Sequence, residues 1–193
     1  MTTGDDPCPS DWVRRWEHLL GSGTRVLDVA CGTGRHARWL AAAGHRVTAI
    51  DRDAQAIAAL REVPGVVQAI VADLEDGPWP LPDATFDAVL VTNYLWRPLW
   101  PPLLAAVASG GLWLHETFNQ SQASLGRPRR PEFLLAAGEL LAVAGHAGLQ
   151  VVAYEEGRLP GTGDAPGREV QRIVARRRTG PSTPIDWLEA GQQ

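Results

Sequence analysis

Val26-Leu27-Asp28-Val29-Ala30-Cys31-Gly32-Thr33-Gly34-Arg35-His36, then a helical pattern, then Arg46-Val47-Thr48-Ala49-Ile50-Asp51-Arg52-Asp53, is the stretch that decides how this chain folds. The apolar run at 26–29 has the length and composition of a buried strand. It stops at a turn holding Gly32 and Gly34. Ala37, Leu40 and Ala41 then recur at helical spacing, and Gly44 stands where a left-handed cap would close the helix. A second apolar run ends on Asp51. The whole is a βαβ unit of about 30 residues. Such a unit suits a nucleotide for physical reasons. Glycines let a ligand approach the backbone, N–H groups at the helix start attract negative charge, and a carboxylate at the second strand end can accept from ribose hydroxyls.

Two ligands fit that description. Gly32-x-Gly34-x-x-Ala37 matches a dinucleotide fingerprint, and Asp51 follows Gly32 by 19 residues, about where that motif places its acid. Read from one strand earlier, the turn is Asp28-x-Ala30-x-Gly32-x-Gly34. A carboxylate at Asp28 would repel a pyrophosphate. It suits a cationic ligand, such as the ammonium and sulfonium end of S-adenosylmethionine. Here the chain resembles the class I S-adenosylmethionine-dependent methyltransferases, whose first motif is an acid-x-Gly-x-Gly-x-Gly turn; Ala30 stands in for the first glycine.

Outward from this unit, a helical pattern through Ala54, Ile57, Ala58 and Leu60 ends at Pro64-Gly65, and a third buried strand spans 66–72. It leads to Asp73-Leu74. The resemblance implies that Asp73 bonds the adenine amino group and that Leu74 packs on the ring. Residues 77–83 are rich in turn formers, so no full crossover helix is expected before the fourth strand at 86–91. That strand runs into Thr92-Asn93-Tyr94-Leu95-Trp96. In doubly wound sheets ligands lie outside the carboxyl ends of the strands, so Asn93, Tyr94 and Trp96 face the transferred group or line the sheet rim. The loop lacks the Pro-Pro of amino-group methyltransferases, so it names no adenine or glutamine acceptor. A helix is expected at 99–108 and a fifth strand at 112–115, ending in His115-Glu116 on the same rim.

Residues 120–132 read as a polar loop. Its clustered Arg127, Arg129 and Arg130 are either a solvated face or a lid for an oxyanion on the substrate. A helix is expected at 133–147; its Gly-Glu-Leu-Leu segment resembles small methyltransferases of the tellurite-resistance and thiopurine groups. Strands follow at 149–155 and 169–176, joined by a Gly- and Pro-rich loop, and consecutive strands so joined pair antiparallel or lie as neighbours. Before the nucleotide unit, Ser10 is a candidate cap for a helix carrying Trp12, Val13 and Trp16. That helix either packs on the sheet or forms a lid with Trp12 or Arg15 on the cofactor.

Length and composition fit this picture. The 193 residues suit one domain; 45% hydrophobic and 21% charged residues are ordinary for a globular chain. A net charge of −4 gives no pull toward nucleic acid. No apolar run approaches the ~20 residues of a membrane span, and the acidic start lacks a signal-peptide pattern; a cytoplasmic location is expected. Cys8 and Cys31 make neither a disulfide framework nor a zinc site.

The expectation is therefore an α/β fold: a doubly wound, Rossmann-like, seven-stranded, mostly parallel sheet with an antiparallel terminal strand and helices on both faces. A methyltransferase domain would span 10–176, between a flexible start at 1–9 and a tail at 177–193. The resemblance implies S-adenosylmethionine held by Asp28, Ala30, Gly32, Gly34, Arg35, Asp51, Arg52, Asp73, Leu74 and Asn93. His115, Glu116 and Tyr94 are the catalytic candidates, and no metal is expected. The acceptor is expected to be a small molecule, an anionic one where the arginine loop acts as a lid, with neither nucleic acid nor membrane as partner. Two other functions stay open: a non-catalytic S-adenosylmethionine-binding regulator and an NAD(P)-dependent oxidoreductase.

Overall fold

The computed structural model describes residues 8–161 and 167–180, so the expected start and tail lie almost wholly outside it. Seven strands form one sheet: β1 (Arg25–Val29), β2 (Arg46–Asp51), β3 (Val66–Val71), β4 (Phe86–Thr92), β5 (Val107–Phe118), β6 (Leu149–Leu159) and β7 (Arg168–Arg177). Their spatial order is β3-β2-β1-β4-β5-β7-β6. The first five are parallel, and β7 inserts antiparallel between β5 and β6. The order reverses between β1 and β4, which is where an open α/β sheet forms its ligand crevice.

Side chains alternate across the central strands and feed two cores. Leu27, Val29, Val89, Val91 and Trp113 face one; Val26, Ala88, Leu90, Leu112 and Leu114 face the other. Strands covered on both faces need apolar residues at every position, which explains the unbroken runs in the sequence. The second core is roofed by α1 (Asp11–Trp16), α2 (Arg35–Ala42) and α3 (Ala54–Arg61); α4 (Trp100–Ala105) and α5 (Glu139–His146) pack on the first. No helix crosses between β3 and β4, as the turn-rich 77–83 stretch suggests.

Five elements differ from the sequence reading, one of them β6, which runs on to Leu159 instead of ending at 155. The third strand is an edge, with Val67 and Val71 exposed, because nothing pairs beyond it and no helix follows it. The helix expected at 99–108 stops at Ala105, and Val107 is already paired with Phe86. Strand β5 is accordingly much longer than 112–115, and its register shifts between Phe86 and Ala88 where it passes Gly110-Gly111. The helix expected at 133–147 shrinks to Glu139–His146. Leu134 and Leu135 are buried as anticipated, but in extended backbone: Leu135 N–H donates to the Phe118 carbonyl at 3.0 Å, and Gln120 N–H donates to the Leu135 carbonyl at 3.0 Å. Gly138, at φ +67, then starts the shortened helix.

Candidate functional site

The turn after β1 is shaped by close packing. A Cβ at Gly34 would stand 2.4 Å from Leu60 Cδ2, and φ there is +81. Ala30 also adopts a left-handed φ, 53, although it is not glycine. An L-residue in that region costs roughly 1–2 kcal/mol, so the rest of the turn must hold Ala30 there. Beneath the turn lies Asp28, 1% exposed, with Oδ2 lacking any hydrogen-bond partner among the described residues. Burial pushes its carboxyl up to about 7, although an Ala37 backbone N–H and the Arg35 guanidinium pull the other way. A buried acceptor with no donor is a site for a ligand's N–H groups. Arg35 opens α2 and donates from Nη1 to the Cys8 carbonyl at 3.4 Å.

Asp51 closes β2, and both its oxygens accept from backbone: Gly32 N–H at 2.7 Å and Asp53 N–H at 2.9 Å. The carboxylate therefore ties the turn to the next strand end and keeps further lone pairs for a ligand. Asp73 accepts from Glu75 N–H at 2.9 Å through Oδ1, an ordinary turn cap. Ala30, Asp51, Arg52, Asp73 and Leu74, with Glu75 and Tyr94, line a cavity of about 150 Å³. Tyr94 and Glu75 also line a second cavity of about 200 Å³, which Asn93 borders with the ends of β4 and β5 and the 128–133 segment. Asn93 sits at φ 54, donating its N–H to the Glu116 carbonyl at 2.8 Å. The Tyr94 hydroxyl is buried without a partner among the described residues. Burial and the nearby Glu75 carboxylate hold its proton on.

His115 and Glu116 point to opposite faces of β5, and neither lines these two cavities. His115 is 1% exposed; burial lowers its pKa to about 4, so it is neutral. Its Nε2 lies 3.1 Å from the Tyr94 carbonyl and must carry the proton there, while its ring stands edge-on to Trp113. Glu116 is equally buried. Ser10 Oγ donates to it at 3.0 Å, and Arg172 and Arg168 approach at 3.6 Å and 3.7 Å. The same Ser10 hydroxyl accepts from Trp12 N–H and caps α1, while Ser10 N–H donates to His36 Nε2 at 3.1 Å. The leading helix is thus pinned to the sheet through Glu116. Trp12 is buried with its Nε1 on the Ile173 carbonyl, and Arg15 pairs with Glu155, so neither reaches the cavities as a lid.

The arginine cluster at 127–130 is exposed and borders neither cavity. Arg130 pairs with Glu132, and Arg129 donates to the Gly126 carbonyl. Sequence reasoning missed Glu75, Arg168 and Arg172. Glu75 follows the Asp73-Leu74 pair that drew attention away from it. Arg168 reaches Asn93 Oδ1 at 3.4 Å from the distant strand β7, and no spacing in the chain announces that contact. Among the described residues no cluster of three or more metal-ligating side chains occurs, no helix is long and apolar enough to cross a membrane, and Cys8 and Cys31 form no disulfide.

Comparison with known proteins adds the following. Residues 26–110 match the family described as "Methyltransferase domain". The chain is 38% identical over 82 residues to demethylmenaquinone methyltransferase of Tropheryma whipplei, covering 42% of this chain and 34% of that protein. It is 39% identical over 66 residues to malonyl-[acyl-carrier protein] O-methyltransferase of Pectobacterium atrosepticum, covering 34% and 25% respectively. The matches thus span about a third and a quarter of these relatives' lengths. The crystal structure of TehB from Haemophilus influenzae superposes with a TM-score of 0.68 at 21% identity, over 92% of this chain and 64% of that one, a likeness of fold.

Proposed function

We propose that this chain, whose residues 26–110 match a methyltransferase domain and whose fold is like that of TehB, transfers a methyl group from S-adenosylmethionine to a small-molecule acceptor. The observation that carries this is the buried, partnerless Oδ2 of Asp28 beneath the glycine turn. It suits the ammonium of the methionine portion and would oppose a pyrophosphate, which disfavours a dinucleotide. Asp51 would take the ribose hydroxyls, Arg52, Asp73 and Leu74 the adenine, and Ala30, Gly32, Gly34, Arg35 and Asn93 the path between. The sulfonium, when bound, supplies an activated methyl carbon whose leaving group needs no protonation.

The residues of the chain then have a positioning task. Holding nucleophile and methyl in line is worth on the order of 7–11 kcal/mol. Tyr94 is the catalytic candidate that borders both cavities, with a hydroxyl ready to donate to the acceptor. His115 and Glu116 are assigned to positioning. His115 holds the Tyr94 carbonyl, and the Glu116 carbonyl holds the Asn93 N–H. A buried neutral imidazole and a carboxylate engaged by Ser10 and Arg172 support this role over that of a general base.

The reading is tested by tryptophan fluorescence. S-adenosylhomocysteine should produce a saturable change and reduced nicotinamide dinucleotide none; the reverse result overturns it. Binding without methylated product across a broad acceptor panel would favour a regulator.

A further inference from the structure

The second cavity has a consistent chemistry. Its walls are Tyr94, Leu95, Phe118, Pro128 and Phe133, and its neutral polar groups are Asn93 and Thr117. Glu75 is the one lining side chain that carries a charge, and no ion pair reaches it among the described residues. Arg52, which lines the first cavity, stands there among Asp51, Asp73 and Glu75, and Arg127 and Arg129 are exposed and absent from the lining. Arg168, beside Asn93, faces the buried Glu116, and Arg130, over the Phe133 ring at 5.0 Å, pairs with Glu132. The chamber's own field is therefore negative. Partial desolvation strengthens that field, because the walls exclude the water that would screen it. Size is the second consideration, in a chamber that is partly open to solvent. A cavity of 150 Å³ already accepts benzene, so about 200 Å³ suits one substituted ring. Apolar and aromatic walls around a few polar groups are what a flat organic body requires.

Resting on the methyl-transfer reading, we infer that this chamber takes a compact, single-ring acceptor that is neutral or cationic and rejects anions. Glu75 is the specificity-determining charge, and the Tyr94 hydroxyl is the donor that orients the ring's polar substituent. This runs against the anionic acceptor that the arginine cluster suggests from sequence.

The test uses the full chain first saturated with S-adenosylhomocysteine, so that failure of the cofactor reading shows as absent saturation before any acceptor is added. Three phenols of one shape are then titrated at neutral pH by calorimetry: tyramine as the cation, 4-ethylphenol as the neutral body and 4-hydroxyphenylacetate as the anion. Tyramine and 4-ethylphenol should bind, and the anion should bind at least about tenfold more weakly than tyramine. Glu75→Gln should close that gap by about tenfold while moving 4-ethylphenol by no more than about twofold. Phe133→Ala should weaken all three. The inference is overturned if the loaded protein prefers the anion, if Glu75→Gln leaves the ranking untouched, or if none of the three binds at millimolar concentration.

Discussion

Asp51 and Glu116 are both acids at the carboxyl ends of parallel strands, and the molecule uses them in opposite ways. Asp51 is half-buried, its oxygens are held by backbone N–H groups, and it opens onto a cavity. Glu116 lies under the leading helix, 1% exposed, surrounded by Ser10, Arg172 and Arg168. What covers the strand tip makes the difference. The β1–β3 half leaves its tips beneath a glycine turn, whereas the β5–β7 half covers its tips with α1 and an inserted antiparallel strand. Backbone donors orient a carboxylate and leave it lone pairs for a ligand. On Glu116 the Ser10 hydroxyl occupies one oxygen, and the other, Oε1, has the Arg168 guanidinium 3.7 Å away and no hydrogen bond among the described residues.

The sharpest way to break this comparison is Glu116→Ala. It strips the Ser10 hydroxyl and the Arg168 guanidinium of their carboxylate, while Arg172 keeps Glu155. Losing the acceptor of a buried hydrogen bond costs about 1–3 kcal/mol. Urea unfolding should show that loss, while affinity for S-adenosylhomocysteine should change by less than about twofold. A large loss of affinity with little loss of stability would reassign Glu116 to the ligand site. Asp51→Ala should do the opposite: lower affinity by at least about tenfold, or ~1.4 kcal/mol, since a charged acceptor to ligand hydroxyls is removed.

A pH series sharpens the same contrast through Asp28. Burial raises its carboxyl to about 7 in the free protein, so below that pH it holds a proton that an incoming ammonium would expel. Affinity for S-adenosylhomocysteine should therefore fall on acidification below about pH 7, by up to about tenfold per unit, and calorimetry in buffers of different ionisation heat should detect the released proton. For the unliganded protein the sign reverses. The proton bound by folded Asp28 favours folding most at low pH, and that contribution disappears as pH rises from about 4 through 7. Asp28→Asn should flatten both curves. The smallest effect belongs to Ala30→Gly, which relieves the left-handed φ of 53. Relief of the strain, offset by the extra freedom of glycine when unfolded, should leave a gain of roughly 0.5–1 kcal/mol in urea unfolding.

The βαβ unit, the glycine turn and the acids at 28, 51 and 73 were legible because each is a local pattern, its spacing set by the geometry of a single strand or helix. The same holds for Ser10 as a helix cap. The misreadings came from contacts made at long range. Leu134 and Leu135 fit the apolar pattern of the helix expected there, yet Phe118 and Gln120 offer Leu135 backbone partners, and those hydrogen bonds outweigh a weak local preference. Val67 and Val71 look like core, and only the sheet order reveals that they stand at an edge.

By itself, then, the amino-acid order determined the fold class, the place of the crevice and the glycine turn after β1, since these follow from periodicity and turn chemistry within some thirty positions. Only the tertiary structure decided that Glu116 is sealed beneath α1, that Arg168 meets Asn93 from across the sheet, and that Glu75 rather than an arginine charges the second chamber. Burial and charge pairing depend on which distant segments come to lie against each other, and no local pattern carries that information.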